Sequence, residues 1–315
     1  MLGFRFLRII LLVVLALASG LFALAPSSSL ADGGGELYFV DAHSQMPGGL
    51  NTDHILPLMD KAGVRRTLLS ARNDRSPQDV AEFATAHPGR ITAAVRSKGR
   101  AFNDNKKKFR KLVKQQLKQP VFKALGEVIL YHAQKGNKAP EINVSLDSPQ
   151  AQLMLDAALD RKWPFIAHFE LKASGGAKPD IMASFEAALR ANPEHPFVLI
   201  HMAQLDVGEV KRLIADHGNV YFITSHSNPV IAGKSGQPWV DMFIDDVLAP
   251  EWKKMMIEHP DRFIFGIDNV WPQHWGDIYI EQVNYWRNAL AELPHEVAHM
   301  IGHRNAERLW GLNNK

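Results

Sequence analysis

Four stretches of this chain run from strand-forming residues straight into a side chain that can hold a metal or move a proton. They are Leu37-Tyr38-Phe39-Val40-Asp41-Ala42-His43-Ser44-Gln45, Phe165-Ile166-Ala167-His168, Phe197-Val198-Leu199-Ile200-His201 and Phe263-Ile264-Phe265-Gly266-Ile267-Asp268. A fifth candidate, Glu127, follows Gly126 at the end of another apolar run. Neutral imidazoles and carboxylates suit zinc or a similar divalent ion, and an open coordination position lets such an ion activate water. Asp268 can both ligate and accept a proton from that water. The chain has no cysteine, which excludes thiolate ligation, a cysteine nucleophile and a disulfide framework. One histidine at one strand end is more often a hydrogen-bonded structural group, so the argument rests on several ends carrying such residues together. Glu127 reads equally well as a ligand or as an acceptor that orients a histidine.

These residues can meet only if the elements carrying them converge. Strand patterns end at His43, at Leu69 (from Val64), at Val95 (from Ile91), at Val128 (from Phe122), at His168, at His201, at Thr224 (from Val220) and at Asp268. Helical patterns separate them: Asp53–Ala62 with Gly63 as its stop, Pro77–Ala86, Asp104–Gln119, a stretch ending at Lys162, Ile181–Ala191, Val207–Asp216, a stretch ending near His259, and a tail from Asp277 to Leu312. Eight strands each followed by a helix, without a break in composition, predict a parallel (β/α)8 TIM barrel in one domain. A doubly wound open sheet is the competing reading. No Gly-x-Gly-x-x-Gly follows an early strand, which argues against a dinucleotide site. In a barrel the C-terminal strand ends share one rim, so Asp41, His43, Gln45, Glu127, His168, His201 and Asp268 are expected around one mouth. Arg72 and Arg96, just past strands two and three, are candidate anchors for a substrate carboxylate or phosphate. His226 and Trp271, with His274 and Trp275, are candidate pocket walls.

The order Asp41-x-His43, Gly126-Glu127, strand-end His168 and His201, Phe265-Gly266-Ile267-Asp268 and the closing Asn305-Ala306-Glu307-Arg308-Leu309-Trp310-Gly311-Leu312 resembles the amidohydrolase superfamily. It is most similar to the amidohydrolase-related branch, with its aminocarboxymuconate-semialdehyde-decarboxylase-like enzymes and its lactone and dicarboxylate hydrolases. The resemblance covers residues 37–313. It implies a metal-dependent hydrolase acting on an ester, lactone or amide bond of a small substrate, which Arg72 and Arg96 would make anionic, with a divalent metal, zinc first among candidates. His43, His168 and Asp268 would be ligands, His201 would ligate or position water, and His201 and Asp268 would handle protons. The family pattern Asp-x-His-x-His is broken at Gln45, whose amide oxygen would be a weaker ligand. Two alternatives stay open: decarboxylase or lyase chemistry on the same barrel, and a metal-free periplasmic binding protein. His295-Glu296-Val297-Ala298-His299 matches the His-Glu-x-x-His zinc-protease pattern, but it falls where the resemblance places a short surface helix.

The net charge of +3 shrinks once the leader is set aside: without Arg5 and Arg8 the balance is 34 basic residues against 33 acidic. Nothing there calls for nucleic acid, and the lysines of Asp104–Gln119 read as a solvated helix face. Residues 1–31 have a basic start, an apolar run from Ile9 to Ala25 and a small-residue end at Ser29-Leu30-Ala31, the layout of a signal peptide. Residues 32–36 read as a linker and 37–315 as the barrel domain. The expected location is the periplasm or outside the cell, with membrane contact only through an uncleaved leader; a homo-oligomer is compatible with the sequence.

Overall fold

The computed structural model describes residues 35–135, 140–234 and 236–312. The predicted leader lies outside the described residues. Among those described, no helix is long and apolar enough to cross a membrane. The barrel strands are β1 (Phe39–Pro47), β2 (Val64–Arg72), β3 (Ile91–Val95), β4 (Phe122–Leu125), β5 (Val128–His132), β6 (Phe165–Phe169), β7 (Phe197–Leu199), β8 (Val220–Ile223) and β9 (Phe263–Ile264). The helices between and after them are α1 (Ile55–Ala62), α2 (Pro77–Ala86), α3 (Lys107–Leu117), α4 (Pro149–Arg161), α5 (Lys178–Ala191), α6 (Val207–Asp216), α7 (Pro250–Glu258) and α8 (Asp277–Ala291).

The strands run parallel in two arcs, β1-β2-β3-β4 and β9-β8-β7-β6-β5. Two seams join the arcs. On one side β4 and β5 are a single barrel strand broken at Gly126-Glu127, where Gly126 N donates to Val95 O at 2.9 Å. On the other, Ala42 N donates to Phe265 O (3.1 Å), Asp268 N to His43 O (2.6 Å) and Gln45 N to Asn269 O (2.9 Å), so the first strand is laced to the segment after β9. This is the expected TIM barrel.

Two apolar layers follow from the strand period of two. Phe39, Val95, Phe122, Leu125, Phe165, Ala167, Phe197 and Phe263 face the helices, while Val40, Ala42, Leu68, Ala94, Ala124, Ile166, Val198, Ile223 and Ile264 fill the barrel, stopped by Ala306 and Trp310. Helix starts are set locally. Ser76 and Asp79 form a reciprocal cap on α2 behind Pro77, and Asp206 and Glu209 do the same for α6.

Four expectations need correction. The expected fourth strand is interrupted at Gly126-Glu127. The sixth ends at Leu199 instead of His201, because residues 201–204 turn into left-handed backbone. The long helix expected from Asp104 begins at Lys107, after a separate turn at Arg100–Asn103. The His295 segment is no surface helix: His299 and His303 are buried and hydrogen-bonded in series (3.1 Å), His303 to Glu307 (3.0 Å) and Glu307 to the Tyr38 hydroxyl (2.8 Å), at the barrel's N-terminal end. Glu296 is turned away to Arg304.

Candidate functional site

The mouth at the C-terminal strand ends is built by continuing the inward-facing pattern past the apolar layer. In β1 the register against β2 slips by one residue between Asp41 and Ser44. That bulge turns His43 inward directly after inward-facing Ala42, and Gln45 follows it. In β6 the inward positions Ile166 and His168 are succeeded by Glu170; after β9, Ile264 is succeeded by Gly266 and Asp268. Gly266 is required there, since a Cβ would come within 2.5 Å of Ile223 Cγ2 and 3.3 Å of His43 Cβ.

The structure brings His43, Gln45, Glu127, His168, His201, Asp268 and His226 together, all but His226 fully buried. His43 Nε2 faces Asp268 Oδ1 at 3.4 Å and Glu127 Oε1 at 3.7 Å. His201 Nε2 and His226 Nδ1 each lie 3.6 Å from Asp268 Oδ2. His168 Nδ1 lies 2.8 Å from Glu127 Oε2 and its Nε2 3.4 Å from Glu170 Oε1. Ser225 Oγ contacts His201 Nδ1 at 2.9 Å and holds that ring's other nitrogen toward the centre. His201 (φ 55°), His226 (φ 59°) and Asp268 (φ 57°) all sit in left-handed backbone, a strain that concentrates at functional sites.

Gln45 is placed differently from an oxygen ligand. Its Nε2 donates to Asp268 Oδ1 (2.7 Å) and Glu127 Oε1 (2.9 Å), while its oxygen accepts from Arg72 Nη1 (3.0 Å). The amide therefore presents N–H groups, not a lone pair, to the carboxylates. Arg72 also lies over the exposed Trp271 ring, 4.6 Å from its centroid. Arg96 is not in the mouth; its guanidinium donates to the carbonyls of Asn73 (2.8 Å) and Arg75 (3.2 Å) and braces that loop. Asp41 also stays out. It lies behind β1, accepting from His43 N (3.1 Å), Ser44 Oγ (2.5 Å) and Ile267 N (3.1 Å).

Several site residues escaped the sequence reading. Lys98 makes a close ion pair with Glu127 Oε1. Glu170 accepts from Ala133 N (2.8 Å) and Lys135 Nζ (3.1 Å). The Trp239 ring stacks on His226 at 4.9 Å. Parity was the available signal for two of them: Glu170 is two residues beyond His168, and Lys98 four beyond inward-facing Ala94.

The electrostatics divide the histidines. Burial lowers the His43 and His168 pKa values, but Asp268 and Glu127 outweigh it for His43, and Glu127 and Glu170 for His168, so both are raised. Burial pushes His201 well below its ordinary value and His226 down to about 4, with neighbouring cationic groups adding to both. Burial opposes the Glu127 carboxylate, yet Lys98, His168 and His43 hold it well below the usual range; His43 and His226 do the same, more weakly, for Asp268.

These donors fit a divalent ion. His43, His201 and Asp268 each present one ligand atom within 4.8 Å of the others, as do Glu127, His168 and His201. His43 Nε2 is buried without a hydrogen-bond partner, aimed between two carboxylates. Two or three imidazoles with carboxylate oxygens are a hydrolytic zinc donor set.

A parallel barrel with buried imidazoles and carboxylates at its C-terminal rim defines a class of enzyme in which strand ends hold a metal centre. A family-wide sequence profile described as Amidohydrolase matches residues 30–312, and the chain belongs to that family. It is by class a metal-dependent hydrolase. Among solved structures, the chain is similar to an uncharacterized TIM-barrel protein of Bordetella bronchiseptica (17% identity, TM-score 0.56, covering 89% of this chain and 100% of that one). It is also similar to dihydroorotase of Saccharomyces cerevisiae in complex with 5-fluoroorotic acid (14%, 0.55, 88% and 85%) and to an amidohydrolase of Burkholderia multivorans with bound zinc (12%, 0.50, 87% and 99%). At these identities the likeness is one of fold. None of the curated proteins matches the chain in sequence.

Proposed function

We propose that this protein hydrolyses an ester, lactone or amide bond of a small, carboxylate-bearing molecule, with one or more divalent ions, zinc foremost, held among His43, Glu127, His168, His201 and Asp268. The observation that carries the reading is the buried, unpartnered His43 Nε2 facing Asp268 and Glu127. When bound, the ion supplies Lewis acidity toward the scissile carbonyl and a lowered pKa for water. The chain supplies the rest. Asp268 stays ionised, with Oδ2 directed toward the neutral imidazoles of His201 and His226, so it can accept a proton from water and pass it on. Trp239 and His226 form a flat wall that limits water, and Trp271 carries the Arg72 guanidinium at the rim. Arg72 Nε is buried without a hydrogen-bond partner, which supports recognition of a substrate carboxylate.

Asp268→Asn is the sharpest variant, because asparagine keeps the size and tolerates the left-handed φ of this position. Purified protein should contain zinc or manganese by mass spectrometry and cleave members of an ester and lactone panel. Asp268→Asn should lose ~10³-fold or more in kcat while keeping its circular dichroism. Full activity in ion-free protein refutes the metal mechanism, and release of CO2 without hydrolysis moves the assignment to a decarboxylase. The leader is proposed to direct export, with N-terminal sequencing of the exported protein expected to begin at Asp32.

A further inference from the structure

Resting on the metal-centre reading, we propose that a single ion is held by His43, His201 and Asp268 alone. The other half of the mouth is closed to metal by a hydrogen-bonded and ion-paired ladder: Lys98, Glu127, His168, Glu170 and Lys135. The two candidate donor sets both need His201, so they cannot be filled together. His201 has only one nitrogen to give, since its Nδ1 is engaged by Ser225 Oγ at 2.9 Å. The ladder set is already saturated. Glu127 Oε1 takes the Lys98 ammonium and Gln45 Nε2 (2.9 Å), and its Oε2 faces His168 Nδ1 (2.8 Å). His168 turns its second nitrogen to Glu170 Oε1 (3.4 Å), and that carboxylate also receives Ala133 N (2.8 Å) and Lys135 Nζ (3.1 Å). An imidazole whose two nitrogens both hydrogen-bond carboxylates has no lone pair aimed at the centre, whereas His43 Nε2, 3.4 Å from Asp268 Oδ1, makes no such bond.

The opposite corner is arranged the other way. Among the described residues, His43 Nε2 has no hydrogen-bond partner, and Asp268 Oδ2 faces the imidazole nitrogens of His201 and His226, each at 3.6 Å. Gln45 marks the boundary, its Nε2 bridging Glu127 Oε1 and Asp268 Oδ1. A histidine at this position would add a lone pair; glutamine, with its oxygen held by Arg72, adds donors that suit carboxylates left without a second ion. Lys98 thus supplies the positive charge that a second ion would bring to Glu127.

The test uses full-length protein, zinc and cobalt. Wild type should bind one ion per chain, and Asp268→Asn and His43→Gln should weaken zinc binding by ~100-fold or more. Glu127→Gln and His168→Gln should keep the one-ion stoichiometry, with losses within the ~10- to 100-fold of an outer hydrogen-bond partner. Because charge-ladder variants can unfold, cobalt-loaded wild type provides an independent readout: paramagnetically shifted proton resonances are expected from two imidazole rings. A third ring, two ions per chain, or loss of the ion in folded His168→Gln overturns the proposal while leaving the metal-centre reading intact. No ion in wild type overturns both.

Discussion

Asp41 shows how much one buried carboxyl can do without touching the chemistry. It ties the backbone of β1 to Ile267 and thereby fixes the distance between His43 and Asp268. Burial drives its pKa up from 3.8 to about 6, the hydrogen bonds from Ser44, His43 and Ile267 recovering only part. A raised folded pKa means that the protonated form is favoured by folding. The associated stability is complete below about pH 4 and is lost as pH rises through about 6. Asparagine at this position keeps an oxygen for the two backbone donors and an N–H for Ser44, and does not ionise. Between pH 4 and 7, urea unfolding should therefore show Asp41→Asn gaining on wild type by up to about 3 kcal/mol. A constant difference across that range would contradict the assignment.

At the scale of the element, the site depends on close approach between strands. Gly266 lets the segment after β9 lie against Ile223 and the His43 Cβ, contacts of 2.5 and 3.3 Å for any added methyl. Gly266→Ala should cost about 1–3 kcal/mol and weaken ion binding, since His43 must shift. Gly89→Ala, with nothing within 4 Å of its added Cβ, is the matched control and should be neutral or slightly stabilising. The same elements explain what was readable beforehand. α2, β3 and α6 stand where their helical and apolar patterns placed them, because those cues are local. His43, His168, His201 and Asp268 were legible because each closes an apolar strand pattern. Lys98 and Glu170 went unread although parity pointed to both, since each lies beyond the apolar run, where alternation alone does not fix a side chain's direction. Arg96 misled for the same reason: two residues before Lys98, it was drawn off by the carbonyls of a neighbouring loop. The β1 bulge, which turns His43 inward, leaves no mark in composition.

For the whole molecule, the proposed ligands, drawn from β1, from the turn after β7 and from the segment after β9, would make the ion a clamp across the barrel. An ion that binds the folded chain and not the unfolded one adds about 2.7 kcal/mol at a hundredfold excess over its Kd. Chelation should then lower Tm by about 5 °C or more for a barrel of this size, reversed by added zinc. His43→Gln should melt at one temperature with or without chelator; a chelator-sensitive His43→Gln would place the ion elsewhere. The seam joining Ala42, His43 and Gln45 to Phe265, Asp268 and Asn269 has a consequence in time as well as in space. The ribosome delivers His43 long before Asp268, and until β9 has emerged the barrel has no closing edge. On the proposed ligand set, metal loading would then follow synthesis, and the ion acquired would be one present where the last strand docks onto the first.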